Sequence, residues 1–171
     1  MKMVLFDLGE TLEDVVDGED ILLPGARETL EAIRAMQDSN GEAPVLALVS
    51  NFGDIPASPE QILASQKEYY KLLEKLDIRS FFEPVAQRVT LSTEVGRPKP
   101  DKKIFQAVIG KIPGLHFADV MFITEDLSHV QAARRLGMQA IHFKGPRQIM
   151  GDVDKLVDLI PHIQRFLGTT S

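Results

Sequence analysis

Val4-Leu5-Phe6-Asp7-Leu8-Gly9-Glu10-Thr11-Leu12 is the stretch on which the reading of this chain turns. A short apolar run ends on a single carboxylate and passes directly into a polar turn that contains a glycine. An aspartate at the carboxyl end of a buried parallel strand stands at the crevice where open α/β sheets bind ligands, held from behind and open to solvent in front. Alone it carries little, because an Asp in that place is more often a helix cap or a turn former. Its weight comes from its company further along the chain.

Outward from that strand, apolar runs of strand length alternate with segments of helical period. Pro24-Gly25-Ala26 opens a helix with Leu30 and Ile33 on one side, which Asp38-Ser39-Asn40-Gly41 ends. Val45 to Val49 is a second buried strand, terminated by Ser50-Asn51-Phe52-Gly53. Ser58 is placed to cap a long helix to about Leu76, with Ile62, Leu63, Tyr69, Leu72 and Leu73 on its apolar side. Val85 to Leu91 reads as a weaker strand. Pro98 and Pro100 frame Lys99 in a rigid turn, and Asp101 caps a helix through Ile104, Val108 and Ile112. Val120 to Ile123 is the next strand, followed by Thr124-Glu125-Asp126, a helix from Ser128 to Leu136 stopped at Gly137, a strand from Met138 to Phe143, and an amphipathic helix from Val153 to Leu167. This rhythm predicts one α/β domain over residues 1–171, a three-layer, doubly wound, mainly parallel sheet of Rossmann-like type.

Composition bounds the function. A chain of 171 residues, 44% hydrophobic and 26% charged, suits one sizeable core. It has no cysteine, which removes disulfides and thiolate metal sites. A net charge of -6 argues against a nucleic-acid partner. The Met-Lys start leads too quickly into a strand for a signal peptide, and no apolar stretch is long enough to span a bilayer, so a cytoplasmic protein without a membrane partner is expected.

Parallel topology brings Asp7, Ser50, Lys99 and the Glu125-Asp126 pair to one edge of the sheet. Their chemistry suits a single task. A carboxylate attacking a phosphoryl group needs a divalent cation to offset anion repulsion, a lysine to neutralise growing charge and a hydroxyl to orient an equatorial oxygen. The acidic pair supplies a further anchor for Mg²⁺, which takes oxygen ligands and keeps several waters.

In these motifs, and in their order, the chain resembles the haloacid dehalogenase-like (HAD) superfamily of hydrolases. The resemblance runs from Phe6-Asp7-Leu8-Gly9-Glu10-Thr11-Leu12 through Leu48-Val49-Ser50-Asn51 and Gly96-Arg97-Pro98-Lys99-Pro100-Asp101 to Ala132-Ala133-Arg134-Arg135-Leu136-Gly137-Met138. It implies Asp7 as nucleophile, Ser50 and Lys99 as further catalytic groups, phosphate binding by Ser50, Asn51 and Lys99, and Mg²⁺ held by Asp7, the backbone carbonyl of Gly9, and Glu125 or Asp126. Two departures stand out. The phosphatase members usually carry a second Asp two residues beyond the nucleophile, as general acid and base; here that residue is Gly9. Losing such a group typically slows turnover by about 10² to 10⁴. Glu10 is a poor substitute, since neighbouring strand residues point to opposite faces. In the last motif, an ungapped count from Ala132-Ala133 puts Glu125 on the metal and leaves Asp126 as helix cap; a slide of one residue exchanges them.

Between Thr11 and Pro24 there is room for a flap but not a helical cap, so no sizeable cap domain is expected. Residues 12–23 form this acidic flap loop, with Glu13, Asp14, Asp17, Glu19 and Asp20 following Glu10. An open site suits a phosphorylated small molecule or protein as substrate, or a partner protein that completes the lid. His129 is within reach of the site but is expected on the helix surface, and Tyr69 and Tyr70 divide between core and surface. The expected function is a Mg²⁺-dependent phosphomonoester hydrolase acting through an aspartyl-phosphate, with low activity an open alternative for want of the second Asp. The other readings are a catalytically impaired phosphatase-like binding or regulatory domain and, ranked last, a 2-haloacid dehalogenase.

Overall fold

β1 (Met3–Phe6) is buried along its whole length, and the alternation of its side chains between two faces explains the layers of the molecule. Val4 and Phe6 enter one apolar cluster, while Met3 and Leu5 enter another on the opposite face. A strand buried on both faces in this way is a central strand of a parallel sheet. The structure, a computed structural model, describes residues 1–169. β1 is followed by a hairpin of β2 (Glu13–Val16) and β3 (Glu19–Leu22), then α1 (Ala26–Arg34), β4 (Val45–Ser50) and α2 (Pro59–Lys75). Next come α3 (Val85–Arg88), β5 (Val89–Leu91), α4 (Ser92–Val95) and α5 (Lys102–Gly110). The chain continues through β6 (Val120–Thr124), α6 (Leu127–Arg135), β7 (Gln139–His142) and α7 (Ile160–Leu167).

The five-stranded sheet has the order β5-β4-β1-β6-β7, and every pairing in it is parallel. From β1 the chain moves outward to β4 and β5, then returns to the other side of β1 for β6 and β7. That reversal opens a crevice at the carboxyl ends of β1 and its neighbours. On one face, Leu48 and Ile123 join Leu30 of α1, Leu73 of α2 and Ile163 of α7. On the other, Val49 and Phe122 join Phe105 of α5 and Val130 of α6, the two Phe rings meeting edge to face at 5.5 Å. Each such buried side chain contributes about 1.5–3 kcal/mol of transfer free energy. The result is the expected three-layer α/β fold with no large cap. No helix among the described residues is long and apolar enough to cross a membrane.

Caps hold the helices where sequence places them. Ser58 and Gln61 form a reciprocal capping box at α2, and Asp101 accepts from the Lys103 amide at α5. Several expectations need correction. Residues 85–91 are not one strand: the Pro84 carbonyl accepts from the Gln87 and Arg88 amides, closing a helical turn, and only Val89–Leu91 pairs with β4. The final helix is not continuous from Val153. Leu156–Leu159 is a 3₁₀ turn and α7 begins at Ile160, because Pro161 has no N–H to continue a ladder from upstream. Leu63 is 66% exposed, since α2 buries only its C-terminal half through Tyr69 and Leu73. The acidic stretch expected as a loop is the antiparallel hairpin β2–β3, in register Glu13↔Leu22 and Val15↔Asp20.

Candidate active site

Asp7 continues β1 by one residue beyond its last strand position, its N–H donating to the Ile123 carbonyl at 3.0 Å. It therefore stands at the crevice, against a cavity of about 430 Å³ also lined by Glu13, Ser50, Lys99, Glu125 and His129. Its carboxylate is divided between partners. Oδ1 accepts the Leu8 N–H at 2.9 Å, while Oδ2 accepts the Thr124 hydroxyl at 3.2 Å and is ion-paired with Lys99. Lys99 is 4% exposed, and its ammonium donates also to the Val49 carbonyl at 3.0 Å. Burying a charge this deeply requires such paired and hydrogen-bonded surroundings.

Asn51 lines the cavity as well, and its amide holds the Lys99 backbone in place. Its Oδ1 accepts the Lys99 N–H at 2.7 Å and its Nδ2 donates to the Lys99 carbonyl at 3.2 Å. Ser50 shares a 2.6 Å hydrogen bond with the Tyr69 hydroxyl. Burial pushes the Tyr69 phenol far above its usual range, despite the Ser50 hydrogen bond, so it remains a protonated partner.

Glu125 and Asp126 part company. Glu125 faces the cavity, where its Oε2 accepts the Thr11 hydroxyl at 2.6 Å; its carbonyl is 2.8 Å from His142 Nε2. Burial raises its pKa, as does the Asp7 charge, against the pull of Thr11 and Lys99. Asp126 lies off the cavity lining and caps α6, accepting from the Ser128 and His129 amides at 2.7 and 3.3 Å. Burial pushes its pKa up, but the Ser128 hydrogen bonds and His129 hold it below the usual carboxylate range.

Gly9 lies in a turn closed by the Leu8 carbonyl, which accepts from Thr11, Leu12 and Glu13. The Gly9 carbonyl is outside that set. Among the described residues no three Asp, Glu or His side chains are grouped to hold a metal ion. Five carboxylates line the cavity among the described residues, Asp7, Glu10, Glu13, Asp20 and Glu125; Asp7 and Glu125 are the two that directly follow β1 and β6, with the Gly9 carbonyl two residues beyond Asp7.

The remaining residues include several that sequence reasoning missed. His129, expected on the surface, is 7% exposed and lines the cavity, because α6 turns that face toward the strand ends. Its Nδ1 is 3.9 Å from Asp7 Oδ2 and has no hydrogen-bond partner among the described residues. Burial lowers its pKa, as does the Lys99 charge. Thr11, Thr124 and Tyr69 bond to Glu125, Asp7 and Ser50, but isolated hydroxyls on buried elements carry no sequence signal. Glu10 is ion-paired with Arg147 at 2.8 Å, and Arg147 also reaches Asp14 at 3.0 Å. Glu13 is 6% exposed. Burial, with Asp20, Asp14 and Glu10 around it, pushes its carboxyl up to about 7, Arg147 alone pulling the other way. Gly145 lets the segment after β7 close on the site: a Cβ there would come within 2.6 Å of the Glu10 carbonyl and 2.9 Å of Glu125 Cβ. Arg97, Lys102 and Lys103 are exposed, as solvated charges flanking Lys99.

No protein-family model matches the chain, and no curated protein does. Solved structures do match. A haloacid dehalogenase-like family hydrolase from Streptococcus pneumoniae superposes with a TM-score of 0.69 at 12% identity, over 96% of this chain and 99% of the other. A HAD phosphatase from Thermococcus onnurineus gives 0.64 at 18% identity, over 95% and 98%. A predicted phosphoglycolate phosphatase from Haemophilus somnus gives 0.62 at 21% identity over 85% of this chain, which spans only 58% of that protein. At such low identity the likeness is one of architecture, and the architecture of this chain is that of the haloacid dehalogenase-like hydrolases.

Proposed function

We propose that the protein is a hydrolase of the HAD superfamily, a phosphomonoester hydrolase that works through an aspartyl-phosphate on Asp7. The observation that carries this reading is the Asp7 carboxylate at the crevice, ion-paired with a buried lysine while a hydroxyl and a second carboxylate face the same cavity. Oδ1 accepts only the Leu8 N–H among the described residues and keeps a lone pair for attack on phosphorus. Lys99 neutralises charge on the phosphoryl group, held in place by Asn51 and the Val49 carbonyl. With the Tyr69 hydroxyl donating to Ser50, the Ser50 proton is free to meet a phosphoryl oxygen.

The donor set fits Mg²⁺. Two carboxylates and a carbonyl are hard oxygen ligands, and this ion needs only one or two carboxylates because it keeps several waters. Asp7, the Gly9 carbonyl and Glu125 would hold it, with Asp126 retained as the helix cap. When bound, it offsets the repulsion between the attacking carboxylate and the phosphate dianion. A presumed HAD-hydrolase from Bacillus subtilis with this architecture, TM-score 0.59 at 20% identity over 83% of this chain and 55% of its own, has been crystallised bound to magnesium. The substrate is a phosphate monoester, on a small molecule or a protein. The acidic hairpin beside the cavity argues against a nucleic acid. The open crevice disfavours dehalogenation, for which a dry, enclosed pocket is wanted.

The test is hydrolysis of p-nitrophenyl phosphate with and without Mg²⁺, comparing the native protein with Asp7→Asn. Metal-dependent turnover that falls by about 10³-fold or more in the variant is the expected result. Turnover unchanged in Asp7→Asn would remove Asp7 as nucleophile. Phosphate binding with no turnover would instead favour a phosphatase-like binding domain.

A further inference from the structure

Cleaving a phosphate ester of an ordinary alcohol requires a proton for the departing oxygen, and hydrolysing the acyl-phosphate left behind requires a base for water. The residues given roles so far include none. Asp7 is the nucleophile, Lys99 and Glu125 are committed to charge neutralisation and metal, and Glu10 is ion-paired with Arg147.

Glu13 is differently situated. It opens β2, its backbone is bridged to Gly9, and its side chain shares a hairpin face with Val15 and Asp20, both of which line the same cavity. The residue is more than nine-tenths buried, yet no hydrogen bond or ion pair among the described residues holds its carboxylate. A Cβ built on Gly9 would have Glu13 Oε2 as its nearest neighbour, at 3.8 Å. The carboxyl of Glu13 therefore occupies the space into which a side chain at position 9 would project.

We propose that Glu13 is the general acid and base of this site, delivered from the hairpin into the space left open by Gly9. The proposal rests on the phosphomonoesterase reading. In the first step Asp7 Oδ1 bonds to phosphorus, the bond from phosphorus to the alcohol oxygen breaks, and that oxygen takes the proton of the Glu13 carboxyl. In the second, Glu13 takes a proton from water as its oxygen attacks phosphorus. The bond from phosphorus to Asp7 breaks, freeing inorganic phosphate and the Asp7 carboxylate.

Glu13→Gln separates these steps through the leaving group. With β-glycerophosphate, a poor leaving group, the variant should lose about 10²- to 10⁴-fold in kcat. With p-nitrophenyl phosphate it should release one equivalent of nitrophenolate per enzyme in a burst and then turn over slowly, because only the second step still lacks its base. Gly9→Asp in a Glu13→Ala background should recover roughly 10-fold or more on β-glycerophosphate over Glu13→Ala alone, since that truncation clears the space ahead of position 9, where a Cβ makes only ordinary van der Waals contact. An equal loss on both substrates without a burst or rescue would reduce Glu13 to a structural residue. Unchanged rates in Glu13→Gln would overturn the proposal while leaving the phosphomonoesterase reading intact. A native protein that hydrolyses neither substrate would overturn both.

Discussion

Glu13 also has a consequence for stability, independent of catalysis. Its carboxyl, raised from 4.5 to about 7 mainly by burial, binds its proton more tightly in the folded protein than in the unfolded chain. Stability from this group is fully present below about pH 4.5 and is lost as pH rises through 7. Glu13→Gln removes the charge, so it should leave stability near that of the native protein at about pH 5. At about pH 8 it should be the more stable of the two by on the order of 1–2 kcal/mol, about 3–6 °C in Tm. Thermal melts at both pH values check this, and an equal Tm difference at the two would refute the cause given. The neighbouring groups are arranged as the sign requires: Asp20, Asp14 and Glu10 oppose ionisation, against a smaller pull from Arg147.

The elements that carry the site are joined by close approach of backbone. The segment after β7 lies against both the Glu10 carbonyl and Glu125, and Gly145 is what permits this. Gly145→Ala forces either that segment or the Glu125 side chain to move. We expect a roughly 10-fold or greater weakening of Mg²⁺ binding, read by the metal dependence of turnover or by calorimetry, with a Tm loss of only a few degrees. Native metal affinity would mean that the segment after β7, and not Glu125, had given way. The hairpin is tied down more loosely, by ion pairs of Lys75 with Glu19 and Asp20 and of Arg147 with Glu10 and Asp14, all at the surface except for the buried Asp14. Exposed pairs of this sort contribute about 0–1 kcal/mol each; Leu12, buried in the core just before the hairpin, and Leu22 and Leu23, packed against that core, hold it as well.

The molecule as a whole presents an acidic mouth, which on the proposed reading faces an anionic substrate. Its net charge is -6, and Glu10, Glu13, Asp14, Glu19 and Asp20 gather on or beside the hairpin. The positive charge proposed to meet the phosphoryl group is buried at Lys99. Long-range repulsion is screened by salt much more than a buried short-range pair is. At saturating Mg²⁺, kcat/KM for p-nitrophenyl phosphate should therefore rise about 2- to 3-fold between roughly 10 and 150 mM sodium chloride. A fall over that range would mean that exposed cations near the mouth dominate the approach.

Local sequence determined the sheet, the helices, the strand-end residues Asp7, Ser50 and Glu125 and the proline-framed turn at Lys99, because apolar runs, caps and prolines act over a few neighbouring positions. The cap role of Asp126 was legible too, since it follows from its place immediately before α6. It was misleading at residues 85–91 and 153–160, where Pro84 and Pro161 changed the local hydrogen bonding within patterns that periodicity read as continuous. The hairpin was read as a loop because its alternation is carried by acidic residues, which resemble a solvated turn. Only tertiary structure decided that Glu13 and His129 face the cavity beside Asp7, that Tyr69 supports Ser50 and that Gly145 closes on Glu125. Those relations join residues far apart in the chain, and they exist only once burial on both faces of the sheet has brought the strand ends together.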